Sequence, residues 1–248
     1  MDEIFFYIVI GFFAQMIDGT LGMAYGVSAS SLLLTRGLTP AIVSATVHAA
    51  EVSTTGISGI SHHFVGNVDR RLFWKLAIPG TIGAAIGAYV LSKLPGDKFM
   101  PFVAGSLLIM GVLIVLRVFR IVPPPASKTH IMPLGFFGAL LDTIGGGGWG
   151  PIVTSTLIAR GNSSRLTIGS VNAAEFLVTV AASVVFVFTL GLAHWQIILG
   201  LAIGGAIAAP IGAYTCKRIP HRPLMLAVGL LVIGLSLRIL ITTLLKHL

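Results

Sequence analysis

The sequence predicts an all-α polytopic membrane protein built from two inverted repeats, each with one broken, re-entrant helix pair and three spanning helices. Composition comes first: of 248 residues 55% are hydrophobic and 10% charged, with a mean hydropathy of +0.97. A soluble domain has about 25% charged residues, so this chain lacks the polar material to cover a water-facing surface. An internal repeat comes second. The window 11–26, GFFAQMIDGTLGMAYG, recurs 124 positions later as GFFGALLDTIGGGGWG, residues 135–150. Gly11, Phe12, Phe13, Asp18, Gly22 and Gly26 match Gly135, Phe136, Phe137, Asp142, Gly146 and Gly150 without a gap. The match continues through Arg36 and Arg160, and through Glu51 and Glu175. Units this long suit the two halves of a duplicated membrane protein. The third observation is the distribution of charge between the apolar segments.

Each half reads as four hydrophobic segments: residues 4–35, 40–63, 72–93 and 99–118, then 132–159, 165–190, 195–217 and 224–245. Most approach or exceed the roughly 20 residues that span hydrocarbon. The halves are residues 1–120 and 132–248, joined by a connector at 121–131 that Pro123, Pro124 and Pro125 stiffen.

The first segment of each half is interrupted. Apolar sequence stops at Asp18 and resumes at Val27; the second copy has four glycines in a row, 145–148, followed by Trp149, Gly150 and Pro151. Consecutive glycines disfavour a helix interior, whereas proline suits the first position of a new helix. Each segment is therefore predicted as a helix, a break at membrane depth, and a short helix starting near Val27 or Pro151. In the third segments, Gly80, Gly83 and Gly87 correspond to Gly205, Ala208 and Gly212 and recur at helical spacing, a stripe suited to close helix packing.

Charge decides how the broken segments run. If each enters and returns to one side, each half makes three net crossings and the second half is inverted. One side then collects 11 Lys and Arg residues and the other 5. The basic-rich side is expected to be cytoplasmic, which puts both termini on the periplasmic side of a bacterial inner membrane. A single crossing per broken segment would divide the basic residues about evenly. The net charge of +8 lies in these short loops, and no nucleic-acid partner is expected. The start Met1-Asp2-Glu3 carries two acidic residues where a cleavable signal needs a basic region, so no cleavable signal is expected. Cys216 is the only cysteine, so neither an internal disulfide nor a cysteine metal site is expected.

Chemistry is expected at the breaks. Half-helix N-termini present backbone N–H groups and positive dipole ends in hydrocarbon, a recurring arrangement for anions in transporters. The candidate substrate contacts are Gly22, Gly26, Gly146, Gly147, Gly148 and Gly150, with Tyr25 and Trp149 as walls and Ser28, Ser30, Thr154 and Asn172 as neutral donors. Asp18, Glu51, Asp142 and Glu175 lie in apolar segments, where an unpaired charge costs several kcal/mol. One reading is proton exchange, because burial makes the protonated form of a carboxyl accessible near neutral pH. The other is that the aspartates cap the short helices. His48, one turn before Glu51, joins the proton-coupling candidates; its counterpart in the second half is Asn172. His62 and His63 have no third ligand nearby at metal spacing, and no cofactor is expected. Nor does the chain contain a Walker loop, a GxSxG elbow or an HExxH motif.

The duplicated GFFxxxxDxxxG start, the GGGGWGP of residues 145–151 and the NAAE of residues 172–175 resemble the sulfite exporter TauE/SafE family over essentially the whole chain. That resemblance implies a small bacterial inner-membrane permease, exporting sulfite or an organosulfonate such as sulfoacetate and driven by the proton gradient. The expected partners are a small anion, protons and the lipid bilayer, and a homo-oligomer stays open. The alternatives are a metal- or sodium-ion permease using the four carboxylates, and a membrane-embedded enzyme using Asp18 and Asp142 as an aspartyl pair.

Overall fold

The computed structural model describes residues 2–119, 130–191, 194–216 and 221–245, and every regular element among them is helical. The first half comprises α1 (Asp2–Leu21), α2 (Tyr25–Thr35), α3 (Pro40–Phe64), α4 (Arg70–Lys93) and α5 (Gly96–Val118). The second comprises α6 (Ile131–Gly145), a π-helical turn (Gly150–Thr154) running into α7 (Ser155–Ala159), then α8 (Ser164–Leu190), α9 (Trp195–Thr215) and α10 (His221–Leu245). Element for element, the second half repeats the first. The proline-rich connector lies almost wholly outside the described residues, as do Lys217 and Arg218.

Six helices are long and apolar enough to cross a membrane: α1, α4, α5, α8, α9 and α10. Large apolar side chains such as Phe13, Ile78, Ile109, Phe188 and Ile207 face outward from them, and so broad an apolar exterior belongs in lipid. The 25-residue α3 is about 38 Å long, ample for hydrocarbon. It falls outside the six because its buried face carries Ser44, Thr46, His48, Glu51, Thr54, Thr55, Ser58 and His62. Those residues are turned away from lipid, which makes α3 the polar spine of the bundle.

Both predicted breaks are present, and the short helices start earlier than the sequence suggested. After Leu21 the chain turns through Gly22 and Ala24, at φ of 67° and 98°, and α2 begins at Tyr25 rather than Val27. After Gly145 it turns through Gly146 and Gly147, at φ of 76° and 138°, and helical geometry resumes at Gly150 rather than Pro151. Positive φ is strained for residues with a side chain, so glycine is the natural occupant at Gly22, Gly146 and Gly147, and Ala24 is the exception among the four.

The helix directions follow from residue contacts. The Arg36 guanidinium, just past α2, sits 4.8 Å from the ring centroid of Phe6 near the start of α1; α2 therefore doubles back along α1. The equivalent helices α3 and α8 cross antiparallel, with Thr55 Oγ1 3.4 Å from Thr179 Oγ1 and Ser58 donating to Asn172 Oδ1 at 2.8 Å. Thr55 and Thr179 hold the same position in the two halves. The other equivalent pair, α5 and α10, is also antiparallel: Gly111 meets Ile233, and Gly229 meets Val115.

The first helix of each half packs on the fourth helix of the other. Along α1 and α9, Gly11 lies against Leu201 and Gly19 against Gly212; along α4 and α6, Gly83 lies against Phe136 and Gly87 against Leu140. A side chain at Gly83 would collide with the Phe136 carbonyl, and one at Gly204 with the Ile8 carbonyl. The small-residue stripe therefore brings backbones together. Each half supplies one partner of every such pair, and the two buried hydrophobic clusters each draw on both halves.

Candidate substrate and proton site at the helix breaks

The two breaks face each other at the centre of the bundle. A Cβ on Gly26 would lie 3.1 Å from the Gly147 Cα, and one on Gly150 would strike the Gly22 carbonyl and Met23. The Thr154 hydroxyl donates to the Gly22 carbonyl at 2.7 Å, stitching the second short helix to the first break. Gly22, Gly26, Gly147 and Gly150 thus serve first to let two backbones meet. Gly148 differs: a Cβ there would find ordinary van der Waals room, with its nearest neighbour at 3.4 Å.

Each aspartate caps its own break. Asp142 Oδ1 accepts from the N–H groups of Gly148 at 2.6 Å and Trp149 at 2.9 Å. The Asp18 carboxyl accepts from the Tyr25 N–H. These are N–H groups that the short helices cannot satisfy internally. The sequence had left capping and proton exchange open as alternatives; the structure supplies the capping geometry, and capping by itself excludes no titration.

The two aspartates then part company. Asp142 Oδ2 lies 3.1 Å from His48 Nε2, a contact across the two halves. The other ring nitrogen, Nδ1, is 2.8 Å from the Ser44 carbonyl and so carries a hydrogen. Asp18 has no such partner: its Oδ2 is buried with no hydrogen bond among the described residues. Asn172, which replaces His48 in the second half, donates instead to the Ile168 carbonyl at 3.2 Å and accepts from Ser58.

Glu51 and Glu175 are both buried, and they interact electrostatically with the two aspartates. Glu51 Oε1 lies 3.4 Å from where a Gly26 Cβ would stand. The four carboxyls and His48, spread over α1, α3, α6 and α8, therefore form one cluster around the paired breaks.

The expected neutral donors divide. Ser28 and Ser30 are buried with hydroxyls unpartnered among the described residues, so they are free to meet a ligand. Thr154 and Asn172 are committed to the protein. Tyr25 and Trp149 are equivalent and wholly buried: the phenol donates to the Leu201 carbonyl at 3.3 Å and the indole to the Val171 carbonyl at 3.2 Å. Trp149 also packs against Gly80 and Gly138. These rings wedge the breaks into the bundle.

Sequence reasoning missed Gln15, Ser31 and Ser44. Gln15 sits one turn before Asp18, fully buried, with both amide atoms unpartnered among the described residues. A lone amide in an otherwise apolar run was the available signal. Ser31 is buried and unpartnered as well, and Ser44 anchors His48. His62 is engaged structurally, facing the Gly19 carbonyl through Nε2 and Asn67 through Nδ1, each at 3.1 Å. Among the described residues no group of three or more His, Cys, Asp and Glu is placed to hold a metal ion.

Apolar helices closed around two facing breaks and a buried carboxylate cluster define a multi-pass membrane transporter. The chain belongs to the sulfite exporter TauE/SafE family, whose sequence profile matches residues 7–239. It is 41% identical over 251 residues to the probable membrane transporter protein YtnM of Bacillus subtilis (strain 168), an alignment covering 97% of this chain and 84% of that protein. No solved structure matches.

Proposed function

We propose that this protein is a secondary transporter exporting a small sulfur-containing anion, sulfite or an organosulfonate such as sulfoacetate, coupled to protons. The anion is held at the paired breaks near the membrane midplane. The observation that carries this reading is the capping geometry: the N–H groups an anion would use at Gly148 and Trp149 are held by the Asp142 carboxylate. An incoming anion competes for those donors, and a protonated carboxyl yields them more readily than an ionised one. Electrostatics points the same way, since an anion does not settle beside several ionised carboxylates in a medium of low dielectric. Protons on the cluster and anion at the breaks therefore favour one another, and such coupling is reciprocal.

The family supports a sulfur-containing oxyanion as cargo. Inverted repeats are supported by the antiparallel crossings of α3 with α8 and α5 with α10, and by the return of α2 along α1. In that arrangement Arg70, Arg71 and Arg165 share the cytoplasmic end, consistent with the Asp69 N–H donating to Ser170 at 2.8 Å. Arg36, Lys93 and Lys98 share the periplasmic end, where Gly96 packs on Thr39. Both termini are then periplasmic and the membrane is a bacterial inner membrane.

Flux in proteoliposomes tests the proposal. Sulfite flux should increase as pH is lowered on the loading side and should ignore added divalent cations or sodium. A requirement for sodium or a divalent ion, or flux indifferent to pH, would overturn the anion–proton reading.

A further inference from the structure

The two breaks differ in one respect that the repeat itself exposes. Leu21 and Met23, almost completely buried in the first half, are replaced by Gly145 and Gly147 in the second. Beside those glycines lies a cavity of about 390 Å³ between α5 and α6, lined by Phe102, Gly105, Ile109, Leu141, Gly145 and Gly147 among others. Its size falls within the range of about 300–1,000 Å³ typical of small-molecule sites. The lining is overwhelmingly apolar. Phe102, Ile109 and Leu141 are about half exposed, so its mouth faces the bilayer, while its inner end reaches the paired breaks through Gly147. There the buried, unpartnered Ser30 hydroxyl stands 3.5 Å from where a Gly146 Cβ would be.

We infer that this cavity receives the hydrocarbon portion of the transported anion, and that the preferred cargo is an organic anion with a tail of several carbons rather than bare sulfite. This rests on the reading of the breaks as the anion site. With the head group at the breaks, beside Ser30, the tail extends along Gly145 and Gly105 towards Ile109.

Gly105 allows a direct test. A Cβ there meets nothing within 4 Å, so a larger side chain has space to extend into the cavity. Binding to the full chain in lipid nanodiscs would be measured by calorimetry for sulfite, methanesulfonate, propanesulfonate and butanesulfonate. Affinity should rise about three- to fourfold per added methylene. Gly105→Leu should remove that gradient while leaving sulfite affinity within about twofold; Gly105→Ala, a smaller change, should reduce it partially and covers the case in which leucine impairs folding. A flat chain-length series alongside measurable sulfite binding overturns the tail site and leaves the anion reading intact. A gradient equally steep in wild type and both variants means that the tails partition into lipid, and also overturns it. Failure of every anion to bind overturns the anion reading and the tail site together.

Discussion

His48 Nε2 and Asp142 Oδ2 meet at 3.1 Å across the two halves, whereas of the residues equivalent to them Asn172 bonds to Ile168 and Ser58, and Asp18 Oδ2 has no hydrogen bond among the described residues. The repeat has been broken chemically at its centre. One aspartate is tied to an imidazole, and the other keeps an uncommitted oxygen.

That difference sets the first expectation. His48→Asn, which copies the second half, leaves the Asp142 carboxylate buried without its partner. Loss of one member of a buried pair typically costs about 3–5 kcal/mol, so the purified variant should melt well below wild type in a thermal-shift assay. Asp18→Asn should cost much less, because it removes no ion pair. Equal destabilisation by the two variants would show that the His48–Asp142 contact contributes nothing particular.

Glu51→Gln and Glu175→Gln preserve shape and remove a titrating group. In the proton-coupled reading both variants should bind sulfite with near-normal affinity, while the pH dependence of flux flattens. Calorimetry at two pH values alongside proteoliposome flux separates the two effects. Glutamine variants that transport with unchanged pH dependence would exclude these residues as proton carriers; loss of binding would point to a cation carrier instead.

The glycines of the second break are expected to respond differently. Gly147 has a φ of 138° and abuts the Gly26 and Val27 backbone, so any side chain there should reduce the yield of folded protein. Gly148 has room for a Cβ. Gly148→Ala should fold, and Gly148→Val, whose branched side chain crowds the N–H groups, should lower anion affinity at least tenfold with its melting temperature retained. Normal sulfite affinity in a folded Gly148→Val protein would move the anion site away from these donors.

Topology has its own test. With inverted repeats, a single cysteine placed in the 93–98 loop should react with an impermeant thiol reagent added outside intact cells, as should a reporter fused after Leu248 register periplasmic. A cysteine in the Gly66–Asp69 turn should be protected until the membrane is opened. Both cysteines reacting from one side would rule out the inverted arrangement.

Much of this was legible in the residues. The duplication and the apolar segments fixed the class, and the interrupted first segments located both breaks to within two residues. The breaks could be read because their cause is local: glycine permits positive φ, and an aspartate one turn earlier supplies the cap. Tyr25 and Trp149, expected as walls of the site, are wholly buried, one bonded to α9 and the other to α8. Their burial depends on where α8 and α9 lie, and nothing in the local sequence conveys that. Gln15 was overlooked because a single amide in an apolar run is conspicuous only once its neighbours are known to leave it unpartnered.

The sequence by itself determined a duplicated, helical, membrane-embedded chain with four intramembrane carboxylates, because composition, periodicity and glycine placement act over a few turns of one helix. The tertiary structure decided which of them meet. It set α1 on α9 and α4 on α6, so that each half completes the other, and it crossed α3 over α6 to bring His48 to Asp142 from 94 positions away. It also left the cavity beside Gly145. These outcomes depend on how close two backbones can come, a property of facing surfaces that no single segment carries.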